Sequence, residues 1–457
     1  MMLPEAQPQS YRFADTLKRL LRRNAGPAIR KILRRTHPVD LAHVMGRFLP
    51  QEQLKLLPSV GDAERQAEVV ASMAMTDVEA LLDEMPTERA VVVLSAMSAD
   101  DRTDIMGGVD EELAGMLLSA LPDAESHEVA ELLRYDEATA GGIMSPEFIA
   151  IPQDTTAAEA IAMVQDSADV EMAFYLYVVN EHGGLSGVLS LRQLVVSRPA
   201  TPISEVMDPH VLSVRTDEDQ EEVARIVSRY DLLAVPVVDD TNKLVGVVTV
   251  DDVLDVIREE ATEDILKMAG AGEQFEDRPT VLGSLGRRAP WLAVAWVGGI
   301  GASFVIGRFE ETLQRFVVLA AFIPIIVGMA GNVGTQSLAI VVRGLATRRI
   351  DVKQFWKVVS REVTVGIILG LAFGAALGGM GFVKVRSEPG VNALVLAGVI
   401  AAAAAISMVI AAIVGSVMPL ILARLRVDPA VATGPFVTTA IDVVGVAVYF
   451  NIVSFFL

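Results

Sequence analysis

Two features of the chain have the chemistry to handle a metal ion inside an apolar slab. The run Pro324 to Gln336, PIIVGMAGNVGTQ, sets Gly331, Asn332, Gly334 and Gln336 inside a long apolar segment. Asp442 is a carboxylate in the middle of the apolar run 429–457, with Thr438, Thr439 and Gly445 as its small or polar neighbours. Glycines and amides are tolerated at membrane depth where the backbone faces protein or a water-filled path. An acid at that depth costs roughly 3 kcal/mol or more and marks an ion pathway in most settings. No Lys or Arg of the same run stands at helical spacing to pair with Asp442, so its carboxylate is expected to face a cation. Close packing of helices explains most of the other membrane glycines.

A second set of acids lies outside the apolar runs. Asp100 and Asp104 are one helical turn apart, and Asp252, Asp255 and Glu259 fall at i, i+3 and i+7 on one face. Asp219, Glu221, Asp231, Glu260, Glu263 and Asp264 crowd the same region. Like charges on one face oppose each other unless they are screened or bridged. A solvated helix face explains any one of them, whereas their density favours shared divalent ions. Oxygen-only clusters suit Mg²⁺ or Ca²⁺ rather than transition metals.

Composition narrows the setting. The chain has 457 residues, 52% hydrophobic, with a mean hydropathy of +0.44. Residues 286–457 carry 14 Lys/Arg and 7 Asp/Glu, which leaves 24 and 51 for residues 1–285. The first part, at net −27, should repel nucleic acid and collect cations. With no cysteine, disulfides, thiolate metal sites and Cys nucleophiles are excluded. No phosphate loop, nucleophile–base pair or His cluster is present, so an enzyme is not expected. The first residues lack the apolar core of a signal peptide, so residues 1–285 are expected to stay in the cytoplasm.

The elements that must position these residues form three groups. After a basic start (Arg12, Lys18, Arg19, Arg22, Arg23, Arg30, Lys31, Arg34, Arg35), helix-start signals recur every twelve residues, at Pro50, Asp62, Pro86, Ser98, Asp110 and Pro122. Helices of about nine residues cannot bury a face alone, so residues 1–135 are expected to stack as an α-solenoid. Residues 136–262 are an internal duplication: Met144 matches Met207, Pro146 matches Pro209, and Gly187 matches Gly246. Residues 263–285 read as a polar linking helix with a glycine break. Five spans are expected near 289–307, 316–342, 362–383, 392–423 and 429–457, each long enough to cross about 30 Å of hydrocarbon. Arg343, Arg348, Arg349, Lys353, Lys357 and Arg361 between spans two and three, with Arg424 and Arg426, put the N-terminus inside and Leu457 outside.

The duplicated segment resembles a tandem of cystathionine-β-synthase (CBS) domains, 136–200 and 201–262, of α+β class. That resemblance implies adenine nucleotide or divalent-ion binding. A ribose-holding T-x-x-D fits Thr249 to Asp252, while the first copy has Gln193 where the Asp would stand. Helical array, CBS tandem, linking helix and an all-α five-span membrane domain (286–457) together resemble the MgtE family of magnesium channels. The residues that carry the likeness are P-x₆-G-N-x-G-x-Q at Pro324–Gln336, the Asp of the last span, and E-x-x-A-G-G-x-M at Glu137–Met144. The resemblance implies a homodimer in the cell membrane whose second and fifth spans line a pore for Mg²⁺. Asp442 would face the ion, with backbone oxygens near Gly331–Gln336, and the linking helix would act as a plug. Regulatory Mg²⁺ would bind at Asp219, Glu221, Asp231, Asp252, Asp255, Glu260, Glu263 and Asp264, with ATP as a possible further ligand. Gly434 departs from members that carry Asn before the proline. A carrier exchanging Mg²⁺ for another ion and a non-transporting CBS sensor stand as alternatives.

Overall fold

The computed structural model describes residues 9–167, 174–271, 280–386, 392–430 and 434–456. The chain divides into two compact units, Met1–Arg258 and Glu259–Leu457.

The first unit opens with helices α1 (Gln9–Arg22), α2 (Gly26–Leu33), α3 (Pro38–Met45) and α4 (Pro50–Leu56). Then come α5 (Ala63–Ala71), α6 (Met75–Glu84), α7 (Thr87–Leu94), α8 (Ala99–Gly108), α9 (Glu111–Ala120) and α10 (Asp123–Leu132). From α5 onward the helices start in strict steps of twelve, with N-caps Asp62, Ala74, Pro86, Ser98, Asp110 and Pro122. Asp62, Ser98 and Asp110 each accept a first-turn backbone N–H, satisfying a donor that the helix itself cannot pair. Ala74 has no such side chain, which is why that member of the repeat was silent in the sequence. Each helix packs on the one two steps away, α3 on α5, α5 on α7 and α7 on α9, with α4, α6, α8 and α10 forming the other row. A continuous apolar core runs between the rows, from Leu17 and Leu33 to Leu117 and Val129.

The duplicated segment folds as two matching sheets. In one, β1 (Ala150–Pro152) is parallel to β2 (Tyr175–Val179), which is antiparallel to β3 (Leu185–Ser190). In the other, β4 (Val214–Arg215), β5 (Ala234–Val238) and β6 (Leu244–Thr249) repeat the pattern. Helices α11 (Ala157–Asp166), α12 (Leu191–Val196), α13 (Ile203–Val206) and α14 (Gln220–Tyr230) flank them. The copies interlock: Ser145 pairs with Val247 on β6, and Asp208 pairs with Val188 on β3. Consequently Met144 fills the space where a Cβ on Gly246 would stand, and Met207 does the same at Gly187. The two residue pairs that aligned in sequence are thus reciprocal contacts between copies.

Helix α15 (Val250–Ala269) begins in the second copy and runs on without a break through position 262. The expected glycine break falls at Gly270, whose φ of +64° only glycine adopts freely. Of the linking segment, residues 272–279 lie outside the described residues.

In the second unit, α16 (Val281–Gly307) is followed by the short α17 (Glu310–Arg315), then α18 (Ile323–Ala346), α19 (Phe355–Val385), α20 (Ala393–Arg424) and α21 (Gly434–Phe456). Among the described residues, five helices are long and apolar enough to cross a membrane. Two starts differ from the sequence reading. Helix α16 begins at Val281 and takes in Arg287 and Arg288; α19 begins at Phe355 and takes in Lys357 and Arg361, so these bases extend helices rather than form loops. Helices α19 and α20 meet along Gly366, Gly370, Gly374 and Gly378. A Cβ on Gly370 would lie 2.8 Å from the Ala405 carbonyl oxygen, so the backbones touch where a side chain has no room.

Candidate functional site

In the second unit, the Oδ1 of Asp442 on α21 lies 3.9 Å from the point where a Cβ on Gly331 of α18 would stand. Asp442 has no hydrogen-bond or ion-pair partner among the described residues. Asn332 and Gln336 are exposed, one turn apart on α18, and Gly328 one turn earlier meets nothing within 4 Å. A polar stripe therefore lies open beside the carboxylate. Thr438 donates to the carbonyls of Gly434 and Pro435, and Thr335 to those of Gly331 and Asn332. Their oxygens keep lone pairs for a water or an ion.

Gly334 stands elsewhere. A Cβ there would meet Ile441 Cδ1 at 2.1 Å and the Ala411 carbonyl at 3.2 Å, and one on Gly415 of α20 would meet the Gly334 carbonyl at 2.2 Å. Its part, unlike that of its neighbours in the same run, is to let α18, α20 and α21 close on each other.

The end of α15 presses on the start of α21. A Cβ on Gly434 would lie 2.2 Å from the Met268 carbonyl oxygen, so no Asn side chain fits there while α15 holds this position. Gly270 packs against Pro435 and Trp291. Lys267 Nζ lies 2.8 Å from Asp428 Oδ2 and also bridges Glu263. Partial burial works against its charge, but the bonds to Asp428 and Glu263 prevail and hold its pKa above the ordinary lysine value. Burial, then Asp428, raises the Asp264 carboxyl, with Arg343 and Lys267 opposing. A further acid, Glu362, is 5% exposed on α19 and accepts a 2.9 Å hydrogen bond from Ser337.

The first unit gathers a different group. The start of α8 and the start of α15 bring Asp100, Asp104 and Asp252 together with Asp101, Asp251 and Glu137. Asp104 is exposed by surface area, yet neighbouring atoms desolvate its carboxyl in part, and this with repulsion by Asp100, Asp101, Asp252 and Glu137 pushes it up to about 7. Asp252 is likewise raised to about 7 by burial and by Asp100 and Asp251, while its bonds from Thr249 pull the other way. Asp100 accepts a hydrogen bond from Ser145 at 3.2 Å. The charges are assembled but do not converge: among the described residues no three His, Asp or Glu side chains come close enough to ligate one ion.

The other acids are spread out. Asp219 caps α14 by accepting the Glu221 N–H, with Glu221 exposed in its first turn. Asp231 ends the same helix in a left-handed conformation, and Asp255 pairs with Arg258 at 3.1 Å. Glu259 and Glu260 lie midway along α15, and Glu263 is engaged by Lys267. Thr249, the other half of the nucleotide pattern, is 8% exposed and spends its hydroxyl on Asp251 and Asp252. Sequence reading did not single out Glu137, Lys267, Asp428 or Glu362. Glu137 was visible inside the E-x-x-A-G-G-x-M run; the others acquire meaning only through distant partners.

Comparison with known proteins places these observations. A family model described as a divalent cation transporter matches residues 323–452, one described as the MgtE intracellular N domain matches 36–138, and CBS-domain models match 140–198 and 203–259. The chain is 35% identical to the magnesium transporter MgtE of Thermus thermophilus over 449 residues, covering 96% of this chain and 98% of that one. It is 33% identical to the Bacillus subtilis magnesium transporter MgtE, covering 94% of each. Among solved structures, the cytosolic domain of the Mg²⁺ channel MgtE in complex with ATP is similar at 38% identity and a TM-score of 0.51, covering 53% of this chain and 99% of that one. The soluble part of a magnesium transporter is similar at 31% identity and 0.51, covering 55% and 100%.

Proposed function

The chain belongs to the MgtE family, and from that premise we propose that it is a Mg²⁺ channel of the cell membrane, closed by Mg²⁺ bound to its acidic cytoplasmic half. The observation that carries the pore is the Asp442 carboxylate against Gly331, without a partner among the described residues. Mg²⁺ dehydrates reluctantly and keeps several waters when bound. A path lined by Asp442, by the Gly331 backbone, and by Asn332, Gln336 and Thr438 offers one charge and several acceptors for those waters.

The exposed stripe of Asn332 and Gln336 is costly against lipid, and a second copy presenting the same stripe would enclose it. We therefore place the pore at the junction of a homodimer, with the soluble half inside and Leu457 outside. The end of α15, pinned by Lys267 and Asp428 beside Gly434, is positioned to act as the plug.

Gating follows as linkage. Mg²⁺ bound at Asp100, Asp104, Asp252 and Asp255, and at the further α15 acids Glu259, Glu260, Glu263 and Asp264, favours the closed state, and its loss leaves like charges opposed within each group. Asp219, Glu221 and Asp231 would add sites on the second CBS copy. Nucleotide binding is proposed at Thr249 and Asp252, on the pattern and on the ATP complex of the related cytosolic domain. The relatives are named as transporters, which fits a chain that is not an enzyme.

Proteoliposome uptake of Mg²⁺ with competing divalents tests the transport reading, and current far above carrier turnover separates channel from exchanger. If deletion of residues 1–270 left inhibition by cytoplasmic Mg²⁺ intact, the gating reading would fall.

A further inference from the structure

The soluble half is not uniformly acidic. Residues 1–35 carry nine Lys/Arg against two Asp/Glu, whereas residues 36–285 carry fifteen against forty-nine. The bases lie on α1 and α2, just ahead of the segment that the N-domain family model matches. Both helices spend their apolar faces on the core: Ala14, Leu17, Ile29 and Leu33 are buried, with Phe13, Leu20 and Leu21 packed alongside. What remains outward is charge. Arg12, Arg19, Arg22, Arg23, Arg30, Lys31, Arg34 and Arg35 are all exposed, and none forms an ion pair with a described carboxylate. So dense a patch repels itself, and an acidic protein has no solubility reason to build it.

We infer that this arginine face docks on the anionic phosphate headgroups of the membrane leaflet that the chain itself spans. The inference rests on the membrane reading given above. Three observations select lipid as the occupant. Arginine, seven of the nine bases, pairs with phosphate through a planar fork of donors. The five apolar helices keep the leaflet permanently tethered to the patch, at an effective concentration that no free polyanion shares. And since the apolar faces of α1 and α2 are already buried, the contact is electrostatic without insertion, grows with each base near an anionic surface and is reversed by salt.

The test uses the full chain in proteoliposomes. The protein has no cysteine, so Val39→Cys, at a side chain 56% exposed on α3, takes a single fluorophore. Energy transfer to a headgroup-labelled lipid is measured in phosphatidylglycerol-rich and in pure phosphatidylcholine vesicles. Transfer is expected to be roughly twofold or more higher in the anionic vesicles at low salt, and to fall to the neutral level in about 0.5 M salt. The combined variant Arg22→Gln, Arg23→Gln, Arg30→Gln, Arg34→Gln is expected to remove the gain. Equal transfer in the two lipids, or a gain that survives the four glutamines, overturns the inference; the lipid comparison needs no change in the patch itself. Displacement by a short RNA below the lipid concentration would reassign the patch to nucleic acid and overturn it too. Mg²⁺ uptake in the same vesicles reports on transport, so lost transfer with retained uptake counts against the patch alone.

Discussion

Asp442 faces Gly331 across the α18–α21 contact, its Oδ1 3.9 Å from where a Gly331 side chain would begin, and no group among the described residues neutralises it. Asp442→Asn keeps the shape and removes the charge. Because no partner is left behind, stability should not fall. Uptake of Mg²⁺ in proteoliposomes is expected to drop by about tenfold or more, since a single intramembrane charge is worth several kcal/mol to a cation. Near-normal uptake in a well-folded variant would remove Asp442 from the pathway.

Two glycines of one helical system separate lining from packing. An Ala side chain at Gly331 meets only an ordinary van der Waals distance, so Gly331→Ala should melt like the parent protein. At Gly415 the same methyl would fall 2.2 Å from the Gly334 carbonyl, a backbone atom that cannot step aside. Gly415→Ala is therefore expected to cost about 1–3 kcal/mol, read as a lower melting temperature in detergent. Equal melting of the two variants would contradict the packing assigned to Gly334.

The acidic group of the first unit makes Mg²⁺ response depend on pH. Asp104 and Asp252 hold protons to about 7 in the folded protein, against 3.8 as their ordinary value. Between those values the folded state binds more protons than the unfolded chain. Without Mg²⁺, stability should fall as pH rises from about 4 to about 7 and then level off. Divalent binding needs the ionised carboxylates, so Mg²⁺ should raise the melting temperature more at pH 8 than at pH 6. The double variant Asp104→Asn, Asp252→Asn should flatten both trends in thermal melts across that range.

How much of this was legible beforehand depended on range. The twelve-residue step, the matched Met144/Met207 and Gly187/Gly246, and the five apolar runs are local patterns, and each became an element or a contact. Ala74 was missed because its helix starts without a capping side chain. The helix of the third span starts at Phe355, ahead of the expected 362, because Lys357 and Arg361 read as loop bases although they extend α19; Glu362, inside the expected span, has Ser337 to bond in the bundle. Asp100, Asp104 and Asp252 were nameable one by one, but only folding sets α8 against the start of α15. Gly334 and Asn332 sit two residues apart in one motif, and nothing in their spacing says that one packs while the other lies open.

Lys267 carries the last prediction, because its ammonium holds the end of α15 to Asp428 in the loop before α21. Its ammonium bridges Glu263 and Asp428 beside Asp264, whose carboxyl burial has already raised. Lys267→Met keeps the length and apolar stem but takes from Glu263 and Asp428 the ammonium that bridges them, leaving Arg343 as the base acting on Asp264. A charge-assisted bond of this kind is worth about 1.5–3 kcal/mol, discounted here because Asp428 is 41% exposed. Loss of about 1.4 kcal/mol from the pinned state is a tenfold change in its population. If pinning α15 against Gly434 closes the pathway, the variant should need roughly tenfold more cytoplasmic Mg²⁺ to shut off current, while flux at low Mg²⁺ stays that of the parent. An unchanged inhibition curve in patch-clamp recordings would mean that the contact between Lys267 and Asp428 is structural and that closure is held elsewhere.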